Sequence, residues 1–207
     1  MMMFRDRTEA GNLLAQKLQH LKADSVVVVA IPRGGLPIGA VLAKALNAPL
    51  DVALTKKIGH PYNREFAIGA ISLDHIILDQ PQEISRDYIA SETNRLRLEL
   101  LEKYTLFYRN KQPCIWKNKT VVITDDGLAT GYTLRAALAL IHAKKPKGIV
   151  IALPVAPAAI INEFEKLPGV QEVVCLQTPH YFDAVGAFYE DFRPINDENA
   201  VEIFESN

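Results

Sequence analysis

The stretch VVITDDGLATGYTL, residues 121–134, joins an apolar strand pattern to a helical pattern through a short polar loop. A continuous β-branched run is typical of a strand that is buried on both faces of a parallel sheet. The loop begins with two adjacent carboxylates, Asp125 and Asp126, and the helical pattern begins at Tyr132. In open α/β sheets, ligands bind at the carboxyl ends of the strands. The stretch therefore predicts an α/β protein with a ligand site in this loop.

The same alternation of strand and helix patterns runs through the rest of the chain. Strand patterns cover 25–31, 50–57, 67–73, 75–79, 120–124, 148–155 and 170–177. Helical patterns cover 6–21, 36–47, 85–109, 132–145 and 156–167. Asp6 is expected to cap the first helix, and a polar loop is expected at 58–66. We therefore predict a doubly wound, mostly parallel α/β sheet that is flanked by helices.

Composition excludes several classes of protein. The 207 residues contain no repeat or linker, so we expect a single domain over 1–207. The net charge of −1 argues against broad binding to nucleic-acid phosphates, and no DNA partner is expected. Cys114 and Cys175 form no CxxC pair, which is typical of a reducing cytoplasm. The sequence contains neither a signal-peptide core nor a spanning apolar run, so we expect a cytoplasmic protein without a membrane partner.

The loop at 124–133 combines two kinds of binding group. Backbone N–H groups at a helix start, with glycines that allow close approach, form an anion site for a phosphate. Asp125 and Asp126 would repel that phosphate, but they accept hydrogen bonds from sugar hydroxyls. A ligand that carries both a diol and a phosphate, such as ribose 5-phosphate, satisfies both groups. The alternative is an ordinary strand-to-helix turn in which an aspartate caps the helix.

The stretch at 121–134 resembles the phosphoribosyl pyrophosphate signature of the type I phosphoribosyltransferases, in which two acids precede Thr-Gly-x-Thr. Residues 26–43, VVVVAIPRGGLPIGAVLA, are similar to the family's pyrophosphate loop, and 56–72 lie where the family has a mobile catalytic loop. The tail at 178–192 resembles a bacterial subgroup whose substrate is undefined. The resemblance implies Mg²⁺-dependent transfer of a 5-phosphoribosyl group from phosphoribosyl pyrophosphate to a nucleobase-like acceptor, with release of pyrophosphate, as in nucleotide salvage.

Roles for individual residues follow from this resemblance. The catalytic residues would be Asp125 and Asp126, which bind the ribose hydroxyls, and Lys56. The residues that bind the 5′-phosphate would be Gly127, Leu128, Ala129, Thr130, Gly131, Tyr132 and Thr133. The residues that bind pyrophosphate would be Arg33, Gly34, Gly35, Lys57 and Arg64. Tyr181 and Phe182 would contact the acceptor in a small C-terminal hood at 178–207. Mg²⁺ would be held mainly by the donor's phosphates and ribose hydroxyls, without a direct protein ligand.

Several alternatives stay open at the level of sequence. Arg33 also fits a simple strand-end turn, and Lys56 and Lys57 also fit a solvated strand end. The hood aromatics Tyr181 and Phe182, with Phe188 and Tyr189, also fit core packing. The same fold would also serve a non-catalytic sensor of phosphoribosyl pyrophosphate or a nucleotide, or a phosphoribosyl hydrolase. Members of the family are often dimers, so a homodimer is one alternative for the open oligomeric state. The long helix at 85–109 suits either core packing or such a dimer.

Overall fold

The structure is a computed structural model that describes residues 3–23, 25–78 and 84–207. Its α-helices are α1 (Arg7–Lys17), α2 (Gly35–Leu46), α3 (Arg86–Phe107), α4 (Tyr132–Ala143), α5 (Ala158–Phe164) and α6 (Asp197–Glu205). Its strands are β1 (Val26–Ala30), β2 (Leu50–Val52), β3 (Lys56–His60), β4 (Asn63–Ile71), β5 (Ile76–Leu78), β6 (Thr120–Thr124), β7 (Gly148–Val155) and β8 (Val170–Gln177). Short 3₁₀ helices occur at Gln19–Ala23 and Val185–Phe188. Within the described ranges, no helix combines the length and apolar character that crossing a membrane requires.

The central sheet has five parallel strands in the order β2-β1-β6-β7-β8. The chain adds β2 on one side of β1 and the later strands on the other side. Strands β1 and β6 are therefore neighbours at the point where the strand order reverses, with Ala30 opposite Thr124. The crevice at such a point is where doubly wound sheets bind ligands. The fold class predicted from the sequence is confirmed.

Strand β1 shows why the parallel strands have continuous apolar sequences. All five of its residues are buried. Val26 and Val28 belong to the core under α1 and α2, whereas Val27 and Val29 belong to the core under α4 and α5. Successive side chains point to opposite faces, and helices cover both faces, so neither face accepts polar residues.

The helix boundaries differ from the predicted ones by a few residues. Asp6 caps α1 as expected, by accepting a hydrogen bond of 2.8 Å from the N–H of Glu9. However, α1 ends at Lys17 and continues as a 3₁₀ turn, so the predicted helix to residue 21 is too long. Helix α4 ends two residues earlier than predicted, because Lys145 has a φ of 54°, in the left-handed region.

The polar loop predicted at 58–66 is wrong, because this stretch forms strands. β3 and β4 make an antiparallel hairpin around a turn at residues 61–62, and β5 completes a second sheet in the order β3-β4-β5. Ile58 and Ile68 are buried, whereas the polar residues Asn63 and Arg64 are exposed. Gly59 permits close pairing, since a Cβ there would lie 2.7 Å from the carbonyl oxygen of Arg64.

The strand predicted at 50–57 is divided between the two sheets. Leu50–Val52 pairs with β1, and Lys56 begins the hairpin. The two further strands predicted at 67–73 and 75–79 correspond to the second half of β4 and to β5, which pair antiparallel. Residue 79 lies outside the described residues.

Candidate active site

The loops that follow β1 and β6 meet in the crevice between these strands. A Cβ at Gly34 would lie 2.1 Å from Oδ2 of Asp126, and a Cβ at Gly35 would lie 2.7 Å from the carbonyl oxygen of Thr124. Any side chain at these two positions would collide with the second loop. The Pro32–Arg33 peptide bond of this glycine loop (residues 32–35) is cis. The two segments selected in the sequence therefore form one site.

The acid pair, Asp125 and Asp126, lies partly buried at the end of β6. The N–H of Asp126 donates a 2.9 Å hydrogen bond to Oδ1 of Asp125. Burial raises the pKa of Asp125 well above its ordinary value, and the neighbouring charge of Asp126 raises it further. Burial also raises the pKa of Asp126, although Arg7 acts in the opposite direction. Hydroxyl donors of a ligand would compensate the cost of holding two carboxylates here.

Arg7, the first residue of α1, contacts the acid pair and was not predicted as a site residue. Its Nε and Nη2 lie 2.9 and 2.8 Å from Oδ2 of Asp126. The guanidinium also lies 4.0 Å from the ring centroid of Phe192, and Nη1 donates to the carbonyl oxygen of Arg193 at 3.1 Å. Its partner is distant in sequence, so local patterns do not reveal it. The available signal is a cation in the first turn of a helix, where the helix dipole disfavours positive charge.

The loop at residues 127–133, predicted to bind the 5′-phosphate, connects the acid pair to α4. Gly131 precedes α4 with a φ of 74°, and a Cβ there would lie 3.1 Å from Cζ of Phe164, so glycine suits both the backbone and the space. The side chain of Leu128 is buried, and its N–H donates to the carbonyl oxygen of Val155 at 3.0 Å. Leu128 therefore anchors the loop, and its N–H is engaged within the protein. Ala129, Thr130 and Thr133 are exposed, where a phosphate has access.

Comparison with known proteins assigns the family. Residues 7–186 match the family described as the phosphoribosyl transferase domain. The chain belongs to this family. The resemblance found in the sequence is thereby confirmed, and so is the enzyme class, phosphoribosyltransferase, at the level of the family.

Relatives of known sequence and structure agree with this assignment. Two proteins of Mycobacterium tuberculosis, from strains CDC 1551 / Oshkosh and ATCC 25618 / H37Rv, are named provisionally as phosphoribosyl transferases; each is 37% identical over 207 residues. That alignment covers 97% of the chain but only 46% of each relative, so the chain spans about half the length of these relatives. The crystal structure of TT1426 from Thermus thermophilus has a TM-score of 0.89 and 36% identity, with 99% of both chains covered.

A purine phosphoribosyltransferase from Pyrococcus horikoshii Ot3 is a more distant structural neighbour, and its name states the class of its acceptor. Its TM-score is 0.47 and its identity is 18%, over 92% of this chain and 93% of that one. A likeness at this level carries no information about the acceptor.

In this member of the family, carboxylates of neighbouring helices pair with two of the predicted cations, Arg33 and Lys56. Nη1 of Arg33 lies 3.5 Å from Oδ1 of Asp197, at the start of α6. Nζ of Lys56 forms an ion pair and a hydrogen bond with Glu99 of α3. An anionic ligand that bound either cation would therefore have to replace a carboxylate.

The two remaining predicted cations lie on the hairpin. Lys57 is half-buried on β3, and Arg64 is exposed on β4. The hydrogen bond from Arg95 lowers the pKa of Glu92 on α3, and the charge of Arg64 adds to this effect. Arg64 thus contributes positive charge that acts on Glu92 of α3.

The aromatic residues predicted in the hood differ in their surroundings. Tyr181 is 91% exposed. The ring of Phe182 stacks on Phe188, with centroids 5.3 Å apart, and Phe188 is buried, so Phe182 is held against the core on this side. Tyr189 is also buried, but its hydroxyl donates a 2.6 Å hydrogen bond to the carbonyl oxygen of Asp126. This link between the C-terminal segment and the acid pair was not foreseen from the sequence.

Proposed function

We propose that the chain transfers a 5-phosphoribosyl group from phosphoribosyl pyrophosphate to a nucleobase-like acceptor, with release of pyrophosphate. The observation that carries the proposal is the direct contact between the glycine loop and the acid pair in the crevice between β1 and β6. This crevice brings together the acid pair, the glycine-rich start of α4 and the glycine loop with its cation, Arg33. A ribose diol, a 5′-phosphate and a 1-diphosphate on one sugar match these three features.

The acid pair is proposed to act on the ribose. Departure of the diphosphate leaves positive charge on the sugar ring, as in glycoside hydrolysis. Asp125 and Asp126 accept hydrogen bonds from the hydroxyls and stabilise this charge in a partly buried site, where electrostatic interactions are stronger than in water. The same hydroxyl donors lower the cost of burying two carboxylates.

The diphosphate is proposed to lie over the glycine loop. Arg33, Gly34 and Gly35 would bind it, and Lys57 would add positive charge from the hairpin. Lys56 and Arg64 would join them when the hairpin moves over the donor and Glu99 releases Lys56. Such closure also keeps water from hydrolysing the donor.

Magnesium is proposed as the cofactor. Mg²⁺ prefers phosphate oxygens and waters with one or two carboxylates. The ion would be held mainly by the phosphates and ribose hydroxyls of the donor, without a direct protein ligand. The acid pair fits this arrangement, because its carboxylates accept hydrogen bonds from the same hydroxyls. When bound, the ion neutralises charge on the departing diphosphate.

The remaining features of the assignment are also proposals. We propose a single domain over 1–207, in which residues 178–207 form the hood and Tyr181 and Phe182 approach the acceptor. The C-terminal segment supports one domain because it bonds to the N-terminus: Phe4 N–H donates to the carbonyl oxygen of Phe188 at 2.8 Å. A cytoplasmic location, a homodimer and a place in nucleotide salvage complete the proposal.

The test is an assay of pyrophosphate release with purified protein, donor, Mg²⁺ and a panel of purine and pyrimidine bases. Release that depends on one base, and that is lost in Asp126→Asn, is the expected result. Donor binding without release would favour the sensor, and release at the same rate without any base would favour a hydrolase. Failure to bind the donor would refute both transfer and sensing of phosphoribosyl pyrophosphate.

A further inference from the structure

We propose that Arg7 is a positioning residue that fixes the carboxylate of Asp126 for the donor's hydroxyls and links this carboxylate to the docked C-terminal segment, residues 188–193. The proposal rests on the proposed function, because the hydroxyls are those of the donor ribose. It assigns a role to a residue outside both sequence motifs.

The geometry of the contact fixes one oxygen of the carboxylate. Both Nε and Nη2 of Arg7 point to Oδ2 of Asp126, so Arg7 does not use Oδ1. The two side chains are only 11% and 14% exposed, so water screens the pair weakly. Converging charge-assisted hydrogen bonds from a rigid guanidinium restrict rotation of the carboxylate.

Stability alone does not account for a charged pair at this place. Positive charge in the first turn of α1 opposes the helix dipole. A buried ion pair generally stabilises a protein no better than well-packed apolar residues of the same volume. A guanidinium near the ribose would also oppose positive charge that develops on the sugar. Arg7 can therefore assist transfer only through Asp126, by keeping it ionised and oriented.

The C-terminal segment holds both partners of this pair. The ring of Phe192 stacks under the guanidinium, and the carbonyl oxygen of Arg193 accepts from Nη1. The hydroxyl of Tyr189 binds the backbone carbonyl of Asp126. The segment is itself fixed to the N-terminus, since Glu190 N–H donates to the carbonyl oxygen of Phe4 at 2.8 Å. The start of α1 and the segment at 188–193 thus form one support for the acid pair.

The groups around Asp126 determine how its pKa should respond when Arg7 is removed. Arg7 favours ionisation of Asp126 and lowers its pKa, whereas burial raises this pKa. Hydrogen bonding within the acid pair also lowers the pKa of Asp126, but less than Arg7 does. Tyr189 approaches as a hydroxyl whose pKa is raised by burial, so it stays neutral. Asp191 is paired with a neighbouring arginine, which lowers its own pKa. Removal of Arg7 takes away the largest influences that lower the pKa of Asp126, so we expect this pKa to rise.

The experiment compares the wild type with Arg7→Gln, Arg7→Lys and the control Arg5→Gln, whose side chain is exposed and pairs with Asp6. The carboxyl of Asp126 is titrated by NMR with ¹³C-labelled aspartate, and donor affinity is measured by calorimetry between pH 5 and 9. In Arg7→Gln we expect the pKa of Asp126 to rise by about one pH unit or more. The pH at which donor affinity falls to half on the acid side is expected to rise by the same amount. Arg7→Lys keeps the positive charge but loses the paired Nε and Nη2 donors, so we expect a smaller shift of the Asp126 pKa. Arg5→Gln leaves both curves unchanged.

Two results would overturn the proposal. One is an unshifted Asp126 titration in Arg7→Gln, and the other is a loss of donor affinity that is equal at every pH. If Arg7→Gln does not fold, Arg7→Lys and Phe192→Leu decide, because each weakens the same support and is expected to shift the titration in the same direction. Failure of the proposed function is distinguishable, since the titration of Asp126 does not require donor or pyrophosphate release.

Discussion

The carboxylate of Asp51 on β2 and the acid pair that follows β6 differ in how completely the protein supplies their hydrogen bonds. Asp51 on β2 is 1% exposed, and each of its oxygens accepts two hydrogen bonds. The donors are Val52 N–H at 2.9 Å, Tyr108 O–H at 2.5 Å, Cys114 N–H at 2.9 Å and Trp116 Nε1–H at 2.7 Å. A carboxylate has about four acceptor sites, so these donors saturate it.

The acid pair at the end of β6 has the opposite character. Two carboxylates lie side by side, and burial raises the pKa of both. A saturated carboxylate has no capacity left for a ligand, whereas an incompletely compensated pair gains from one. Asp51 thus ties the segment at 108–116 to the edge strand, and the acid pair is the group that is suited to chemistry.

The largest expected effect is on stability, at Asp51. Asp51→Ala leaves four donors without their acceptor, and we expect the free energy of unfolding to fall by about 3 kcal/mol or more. Urea denaturation measures this change. Asp74→Ala is the matched control, because Asp74 is exposed in a surface pair with Lys144 and should change stability by less than about 1 kcal/mol. A similarly small change for Asp51→Ala would mean that the four hydrogen bonds to Asp51 do not stabilise the fold.

The next effect is on catalysis, at Asp126. Asp126→Asn removes a charge that stabilises the transition state, so we expect kcat to fall by about 10²-fold, which corresponds to about 2.7 kcal/mol. Donor affinity is expected to fall less. Steady-state kinetics on the base that the assay identifies, with Asp74→Asn alongside, separate the two quantities. A change confined to KM would contradict the role proposed for the acid pair.

A smaller effect of opposite sign is expected on stability at Asp125. Asp125→Asn keeps an oxygen that can accept from the N–H of Asp126 but removes a buried charge. The folded pKa of Asp125 lies above its unfolded value of about 4, so the folded state is penalised as pH rises above that value, and the penalty persists above the folded pKa. We therefore expect Asp125→Asn to be more stable by about 1 kcal/mol at pH 7–8, with no gain below about pH 4.

Thermal unfolding of the wild type and Asp125→Asn across this pH range measures the difference. Equal stability of the wild type and Asp125→Asn at all pH values would show that burying the Asp125 carboxylate beside Asp126 does not destabilise the fold.

The smallest effect concerns the ion pair between Lys56 and Glu99. If Lys56 moves to the diphosphate, Glu99 competes with the donor, and Glu99→Gln should lower KM for the donor by about two- to fivefold, as expected for a partly exposed pair. Glu102→Gln on the exposed side of the same helix is the control. An unchanged KM in Glu99→Gln would mean that Lys56 belongs to the packing of the hairpin on α3.

Much of the site was predictable because its parts are local. The pattern VVITDDGLATGYT contains the strand, the acids, the glycines and the helix start in one continuous segment, and backbone geometry follows from residues that are neighbours in sequence. The segment at 58–66 was mistaken for a loop because its sequence is mostly polar. Its strand character depends on the pairing of β3 with β4 and on the packing of Ile58. Pairing between strands is a tertiary influence that outweighs local preference.

The sequence by itself determined the parallel sheet, the site loops after β1 and β6, and the family. It did so because buried parallel strands need continuous apolar runs and phosphate loops need glycine at fixed positions. Only the tertiary structure decided which charges meet. Arg7 reaches Asp126 across 119 positions of sequence, and Asp51 collects donors from 57 to 65 positions away. Such contacts depend on the packing of whole elements, and no local pattern records them.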